Sequence, residues 1–284
     1  MSRRRLRIEH RTGYRYESTV AASFNEVRMT PLNTRRQHVV SHQLHITPGA
    51  GVSEYQDYWG TTVHSFDVHD PHVMLEVVST ATVDTETEHF AAEGTDWATL
   101  TSNSVRDRWC EYLTPTALVP ALSDADSRLS IVSDMLSSAT PTDAIALAFN
   151  AVRERITYRS GATSVFTTAD QAWELGEGVC QDYSHTLLSL LRSAGIPARY
   201  VSGYLHDPSK ELGATNVGES HAWVEFWNGG WEAIDPTNSR EVAGSHVLVA
   251  RGRDYVDVAP LKGIYAGGKS ESLGVAVHIT ELQR

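Results

Sequence analysis

Two alternating segments joined by a tight turn constrain this chain most, because together they fix which residues of two strands face each other. His221–Trp227 alternates and predicts a strand, 228–230 (Asn-Gly-Gly) predicts a turn, and Trp231–Asp235 predicts the returning strand. Counting back equally from the turn pairs Trp227 with Trp231, to within one residue. A hairpin with a defined register is therefore expected in this part of the chain.

The same register brings a histidine and an aspartate together at the far end of the hairpin. It pairs Val224 with Ile234, so His221 lies slightly beyond Asp235 on the neighbouring strand. Pro236 follows and ends the strand. Since a carboxylate in this place can orient an imidazole, we expect Asp235 to contact the ring of His221.

A cysteine stands where a glycine-rich loop enters a helix. The loop 176–179 (Gly-Glu-Gly-Val) precedes Cys180, and the leucines of 187–191 then mark an apolar helix face. The sequence 195–197 (Gly-Ile-Pro) predicts the end of this helix, because proline cannot easily continue it. The first N–H groups of a helix favour negative charge, which is what a nucleophilic thiolate requires.

Cys180, His221 and Asp235 supply a soft nucleophile, a base and an anion that fixes the imidazole tautomer. Residue types and spacing alone are weak evidence, because the chain has 13 histidines and 35 acidic residues. From the residues alone two interpretations stay open, a catalytic triad and a structural cysteine.

The chain ahead of this region changes from a strand pattern to a helix pattern. Residues 6–84 alternate by two between frequent glycines, prolines and asparagines, which predicts an antiparallel, sandwich-type module. From about 96 to 155 the composition favours helices. Apolar residues at three- and four-residue spacing predict helices over Ser123–Leu136 and Thr142–Ile156.

Charge and hydropathy exclude two classes of partner. The net charge is −11 with histidine neutral, which argues against nucleic acid, and the basic cluster at 3–7 is interpreted as solvated charge at a strand end. No segment approaches the roughly 18 apolar residues of a membrane helix, and no secretory signal is visible. We therefore expect a cytoplasmic protein with no nucleic-acid or membrane partner.

Neither the cysteines nor the histidines indicate a disulfide framework or a metal site. Two cysteines in a chain this long predict reduced thiols, and Cys110 is expected to be a small buried apolar residue. The short-spaced histidine pairs 42/45 and 69/72 do not match a zinc-enzyme motif and are interpreted as surface strand histidines. No metal or other cofactor is expected.

Four blocks of sequence, in this order, resemble the core of the bacterial transglutaminase-like superfamily. One member of the expected triad falls in the first, third and fourth block. Segments before and after the core also resemble the bacterial members, so the resemblance spans nearly the whole chain. The core blocks are GEGVCQDYSH (176–185), GIPARYVSGY (195–204), SHAWVE (220–225) and WEAIDPTN (231–238). The flanking segments are YRY (14–16), NEVRMTP (25–31) with Gln37, DYWG (57–60) and GRDYVDVAP (252–260).

This resemblance implies an α+β fold, with a papain-like (transglutaminase-core) catalytic domain behind a β-rich, sandwich-type N-terminal domain. The expected ranges are 1–95 for the N-terminal domain and 96–245 for the helical segment and catalytic core. Residues 246–284 are expected to form a C-terminal β segment that completes the fold.

The resemblance also implies roles and a reaction. Cys180 is the nucleophile, His221 the general acid/base and Asp235 its orienting carboxylate. The thiolate attacks a carboxamide of a peptide or protein substrate, the imidazolium protonates the leaving amine, and a thioester remains. The backbone N–H of Cys180 is expected to be one oxyanion donor, and the second is unassigned.

Three functions remain open at this point. A transamidase would resolve the thioester with a primary amine, whereas a cysteine peptidase or amidase would use water. A binding module without activity is the third, and the intact triad counts against it. The calcium dependence of the animal enzymes is not carried over, because no Asp-x-Asp-x-Asp-Gly loop is present.

Overall fold

The computed structural model describes residues 3–87, 93–218, 220–238 and 240–284. Strands and helices are both present, so the predicted α+β organisation is confirmed. Within the described residues, no helix is both long and apolar enough to cross a membrane. The strands are β1 (Arg3–Val20), β2 (Ser23–Val27), β3 (Gln37–Thr47), β4 (Val52–Gln56), β5 (Thr62–Val68), β6 (His72–Glu86), β7 (Thr157–Tyr158), β8 (Glu177–Gly178), β9 (Ala198–Leu205), β10 (Thr215–Gly218), β11 (His221–Trp227), β12 (Trp231–Asp235), β13 (Arg240–Glu241), β14 (His246–Gly252), β15 (Leu261–Tyr265) and β16 (Ser270–Gln283). The helices are α1 (Trp97–Leu100), α2 (Asn103–Arg108), α3 (Arg128–Leu136), α4 (Pro141–Arg155), α5 (Ala169–Leu175), α6 (Cys180–Ser193) and α7 (Tyr255–Val258).

Two sheets form the N-terminal part of the structure. The long sheet has the order β10-β16-β1-β6-β3, and the short sheet has the order β15-β2-β5-β4. Alternate residues of both sheets, such as Leu75 and Val77 of β6 and Phe66 and Val68 of β5, share one buried core. The alternation read from residues 6–84 therefore corresponds to strands that bury one face, as predicted.

A third sheet, the central sheet, has the order β13-β12-β11-β9-β14, and α6 packs on one of its faces. The apolar face of β11, formed by Ala222, Val224 and Phe226, lies in the same buried core as the leucines of α6. The hairpin register pairs Trp227 with Trp231 and Val224 with Ile234. This is the register that the turn sequence predicted.

The helix boundaries follow local capping. In α6, the carboxylate of Asp182 accepts a hydrogen bond from the backbone N–H of Val179 at 2.7 Å, and Gly195 adopts a φ of +78° just after the helix. The predicted helix over Ser123–Leu136 is shorter in the structure and begins at Arg128. The N–H of Asp126 closes a turn on the carbonyl oxygen of Ser123, and the Asp126 side chain then accepts the backbone N–H of Arg128, so the helix begins five residues later than the apolar spacing indicated.

The range 246–284 contributes strands to all three sheets. Strand β14 pairs with β9 in the central sheet, β15 pairs with β2, and β16 pairs with β1. The division of the chain at residues 95 and 245 stays a prediction. The pairing shows that this last range is shared between the N-terminal sheets and the central sheet.

One buried side chain, Gln37, joins the N-terminal part to the edge strand β14 of the central sheet. The amide of Gln37 donates to the carbonyl oxygens of Leu32 (2.7 Å) and Leu248 (2.8 Å), and its Oε1 accepts from the N–H of Leu248 at 2.8 Å. Gln37 thereby pairs both backbone groups of one β14 residue, as a neighbouring strand would.

Two expectations about burial were wrong. Cys110 is exposed. It is the first residue of a one-turn 3₁₀ helix over 110–112, in which Tyr112 rather than Cys110 faces inward. His72 is buried rather than on the surface. Its ring packs edge-on against Tyr16, and its Nδ1 lies 2.8 Å from the carbonyl oxygen of Asp70.

Candidate active site

Cys180 is half-buried. It is the first residue of α6, and the first backbone N–H groups of a helix have no partner within the helix. The approach to the helix is tightly packed. A Cβ on Gly178 would lie 2.6 Å from Cβ of Asp182, so only glycine fits there. The glycine-rich loop of the sequence therefore serves to bring the chain close to the first turn of α6.

Asp182 fixes this entry from inside the helix. Its Oδ2 accepts hydrogen bonds from the N–H of Val179 (2.7 Å) and from Oγ1 of Thr163 (2.6 Å). Burial raises the pKa of this carboxyl above its ordinary value, although both hydrogen bonds act in the opposite direction. Asp182 thus holds the residue before Cys180 and the loop around residue 163 together.

His221 connects the other two members of the predicted triad. It is the first residue of β11 and is 9% exposed, and its Nε2 lies 2.8 Å from Oδ2 of Asp235. The side chain of Cys180 lies close enough to favour the charged form of the ring. Burial lowers the pKa of His221, but the hydrogen bond to Asp235 and the interaction with Cys180 outweigh it and raise the pKa to about 9. The ring is therefore an imidazolium at neutral pH.

Asp235 is a fully buried carboxylate with partners on both oxygens. Oδ1 accepts the backbone N–H groups of Thr237 (3.0 Å) and Asn238 (3.2 Å), and Oδ2 accepts the amide of Asn238 at 3.1 Å. Burial raises the pKa of Asp235, but hydrogen bonds from His221 and His246 outweigh it and hold the pKa well below its ordinary value. The group is thus a permanent anion beside the imidazolium.

His246, a second imidazole on the same carboxylate, was not found from the sequence. Its Nε2 lies 3.2 Å from Oδ2 of Asp235, and its ring stands edge-on to Trp223 at 5.2 Å. It comes from β14, which is separated from β12 by two strands. Nothing in one sequence indicates that pairing, although the alternating segment after residue 246 is a recognisable strand.

The ligand atoms of His221, Asp235 and His246 lie within 4.8 Å of one another, close enough to hold a metal ion. The imidazole nitrogens concerned are already hydrogen-bonded to the carboxylate oxygen between them. A metal would have to displace the protons of both hydrogen bonds, so histidine–carboxylate pairing accounts for the cluster.

His185 lies one turn after Cys180 on the buried side of α6. Its Nε2 accepts the backbone N–H of Tyr255 at 3.2 Å, and its ring packs on Tyr200 with centroids 5.0 Å apart. Burial, aided by the charge of Arg192, lowers the pKa of His185 to about 3. It is therefore a neutral packing residue and not a second base.

Comparison with known proteins finds matches to two family models and to several relatives. Residues 6–84 match the family model of the bacterial transglutaminase-like N-terminal region, and residues 130–236 match that of the transglutaminase-like superfamily. An uncharacterized protein of Mycobacterium leprae is 43% identical over 281 residues, covering 98% of this chain and 99% of that protein.

The chain belongs to the transglutaminase-like superfamily.

Other relatives support the family and the fold. An uncharacterized protein of Mycobacterium tuberculosis is 31% identical over 297 residues, 98% of this chain and 93% of that protein. A protein-glutamine gamma-glutamyltransferase of Pseudomonas aeruginosa is 32% identical over 114 residues, 37% of this chain and 17% of that enzyme. The crystal structure of a protein from Cytophaga hutchinsonii, described as a "Putative Cysteine Protease", superposes with a TM-score of 0.78 at 21% identity, covering 100% of this chain and 92% of that one. The predicted fold class, a papain-like core behind a β-rich N-terminal part, is confirmed.

Proposed function

We propose that the protein catalyses thiol-dependent acyl transfer on an amide of a peptide or protein, with Cys180, His221 and Asp235 as the catalytic residues. One observation carries this proposal. The imidazole of His221 hydrogen-bonds to a buried, charged carboxylate, and the cysteine at a helix N-terminus raises its pKa further. This is the arrangement that a thiolate–imidazolium pair requires.

The geometry supports a two-step reaction. The thiolate of Cys180 attacks the amide carbonyl carbon, and the backbone N–H of Cys180 at the start of α6 donates to the developing oxyanion. His221 gives its proton to the leaving nitrogen as the C–N bond breaks, which leaves a thioester and a neutral imidazole. Asp235 keeps the ring oriented throughout.

In the second step a primary amine attacks the thioester, gives a proton to His221 and forms a new amide, while the thiolate leaves. The similarity of part of the chain to a glutamine gamma-glutamyltransferase supports an amine acceptor and a glutamine carboxamide as donor. Water in place of the amine would give hydrolysis with the same residues.

The nucleophile can be tested inside one molecule, because the chain has two cysteines, Cys110 and Cys180, and both are free. With iodoacetamide near pH 6, the half-buried Cys180 should be alkylated at least about tenfold faster than the exposed Cys110, since an ordinary thiol is less than about 1% thiolate there. Mass spectrometry of the two peptides measures both rates. Equal rates, or a faster Cys110, would contradict the proposal.

The reaction is tested with glutamine-containing peptides, with and without an excess of a tagged primary amine. Tag incorporated at glutamine, and lost in Cys180→Ala, supports the transamidase. Cleaved or deamidated peptides without tag, again lost in Cys180→Ala, assign water as the acceptor. Cys110→Ala is the matched control and should retain full activity, because Cys110 does not belong to the proposed site.

A further inference from the structure

A cavity of about 390 Å³ lies on the face of the central sheet that α6 does not cover. Trp223 and Glu225 of β11 line it, whereas their neighbours Ala222 and Val224 point into the core beneath α6. The opposite wall comes from the N-terminal part, at the beginning of β3 and the end of β6. The volume is that of a site for a small molecule.

This cavity is distinct from the proposed catalytic site. Neither Cys180 nor His221 lines it. The two share one residue, His246, which lines the cavity and bonds to Asp235 with its Nε2. A molecule bound here would therefore contact His246 but neither Cys180 nor His221.

Two tryptophans in the lining carry hydrogen-bond donors that nothing in the described residues satisfies. Trp223 is 1% exposed, and its indole Nε1 is buried without an acceptor. The Nε1 of Trp231 is likewise buried without one. A buried donor without a partner is destabilising, so an oxygen of a bound molecule would relieve a penalty at each position.

The charges on the deeper wall leave a positive excess. The buried carboxylate of Glu225 accepts from Nε of Arg199 at 2.6 Å and from Nε and Nη2 of Arg251 at 2.8 and 3.0 Å. Two guanidinium groups thus share one carboxylate. The guanidinium of Arg199 also stacks on the ring of Trp231, 3.9 Å from its centroid.

The outer wall does not cancel that excess. Arg35 and Arg36 line the cavity there, together with Glu86 and Glu232. Among the residues that the structure describes, four arginines and three glutamates line the cavity. Its lining is therefore positive within a chain whose net charge is −11.

We propose that this cavity binds a small organic anion that carries a carboxylate or a phosphate group. The excess positive charge attracts the oxyanion, and its oxygens accept hydrogen bonds from the indole N–H groups of Trp223 and Trp231. The proposal is independent of acyl transfer, since it concerns binding at residues outside the triad.

The test follows the indole N–H signals of ¹⁵N-tryptophan-labelled protein by NMR, with inorganic phosphate and malonate as probes and sodium chloride at matched ionic strength as the salt control. Trp223→Phe and Trp231→Phe assign the two signals. Both should shift saturably with phosphate or malonate and stay in place with chloride. Saturation by only one of the probes assigns the anion class.

Arg35→Gln should weaken binding by about fivefold, the effect of losing one partly exposed ion pair. Arg35 is exposed, so this variant is expected to fold. Arg15→Gln removes an exposed arginine that does not line the cavity and should leave the affinity unchanged. Cys180→Ala should bind like the unaltered protein, whether or not the protein is an acyltransferase.

Three results would overturn the proposal. These are non-saturable shifts with both probes, equal shifts with chloride, and equal weakening in Arg35→Gln and Arg15→Gln. If the Phe variants do not fold, the unaltered protein still tests the proposal, because two of its seven tryptophan signals must shift together when the anion binds.

Discussion

Nε2 of His246 lies 3.2 Å from Oδ2 of Asp235, the same oxygen that Nε2 of His221 approaches to 2.8 Å. One buried carboxylate is therefore shared by two imidazoles that have different surroundings. His221 also interacts with Cys180, whereas His246 lines the cavity on the face of the central sheet that α6 does not cover. Only the first of them is in a position to exchange a proton with the sulfur.

Replacing His246 should weaken the fold more than the reactivity of the thiol. His246→Phe removes one donor to a buried carboxylate, which we expect to lower the free energy of unfolding by about 1–3 kcal/mol in urea titrations. Rapid alkylation of Cys180 should persist, because His221 keeps its bond to Asp235. The exposed His45 provides the control His45→Phe, with little change expected. A folded His246→Phe with a slow Cys180 would place His246 in the catalytic machinery.

Stability should fall as the pH rises from about 6.5 to 9. The pKa of His221 is raised in the folded protein to about 9, so its stabilisation is complete below the unfolded pKa of about 6.5 and is lost as the pH passes through 9. The free energy of unfolding should fall by about 3 kcal/mol over this interval. Urea midpoints against pH measure it, and His221→Gln should show a flatter profile. An identical slope in both proteins would show that another group is responsible.

His185 should make stability change with pH in the opposite direction, so that the protein becomes less stable as the pH falls. Burial lowers its pKa to about 3, so the stabilisation is complete above about 6.5 and declines as the pH falls. Between pH 6.5 and 4 this one residue should lower the free energy of unfolding by about 3 kcal/mol. His185→Gln keeps an acceptor for the N–H of Tyr255 and does not titrate, so its stability should change less over the same interval. A loss as steep as that of the unaltered protein would contradict this assignment.

Gln37 should contribute more to the stability of the fold than its position at the start of an N-terminal strand suggests. Gln37→Leu removes three hydrogen bonds and leaves both backbone groups of Leu248 without this partner. We expect a loss of about 2–4 kcal/mol and faster hydrogen exchange at the amide of Leu248. Gln43→Leu, at an exposed position of the same strand, should change stability little. Equal effects would show that the bonds to Leu248 contribute nothing.

Local signals predicted the parts of the site that lie close together in the chain. The turn at 228–230 determined the register of β11 and β12, and with it the approach of His221 to Asp235. The glycine-rich loop and the apolar face predicted that α6 begins at Cys180. The family resemblance, rather than spacing, related Cys180 to the other two residues.

The features that the sequence did not predict depend on pairing between distant segments. His246 reaches Asp235 only because β14 joins the central sheet beside β9, and Gln37 reaches Leu248 because the two parts of the molecule meet at that edge. Cys110 was misjudged for a related reason. Which residue of a single turn is buried depends on what packs against it, and that is decided elsewhere in the chain.

Strand β1 lies between β6 and β16 in the long sheet, with Arg5 opposite Gln283 on one side and Asp84 on the other. During synthesis, one edge of β1 must therefore wait for residues 270–283, although β6 can pair with its other edge early. The five strands of the central sheet lie within 198–252 and are all available sooner. The ribosome thus delivers every strand that carries His221, Asp235 and His246 before it delivers the strand that completes the sheet around β1.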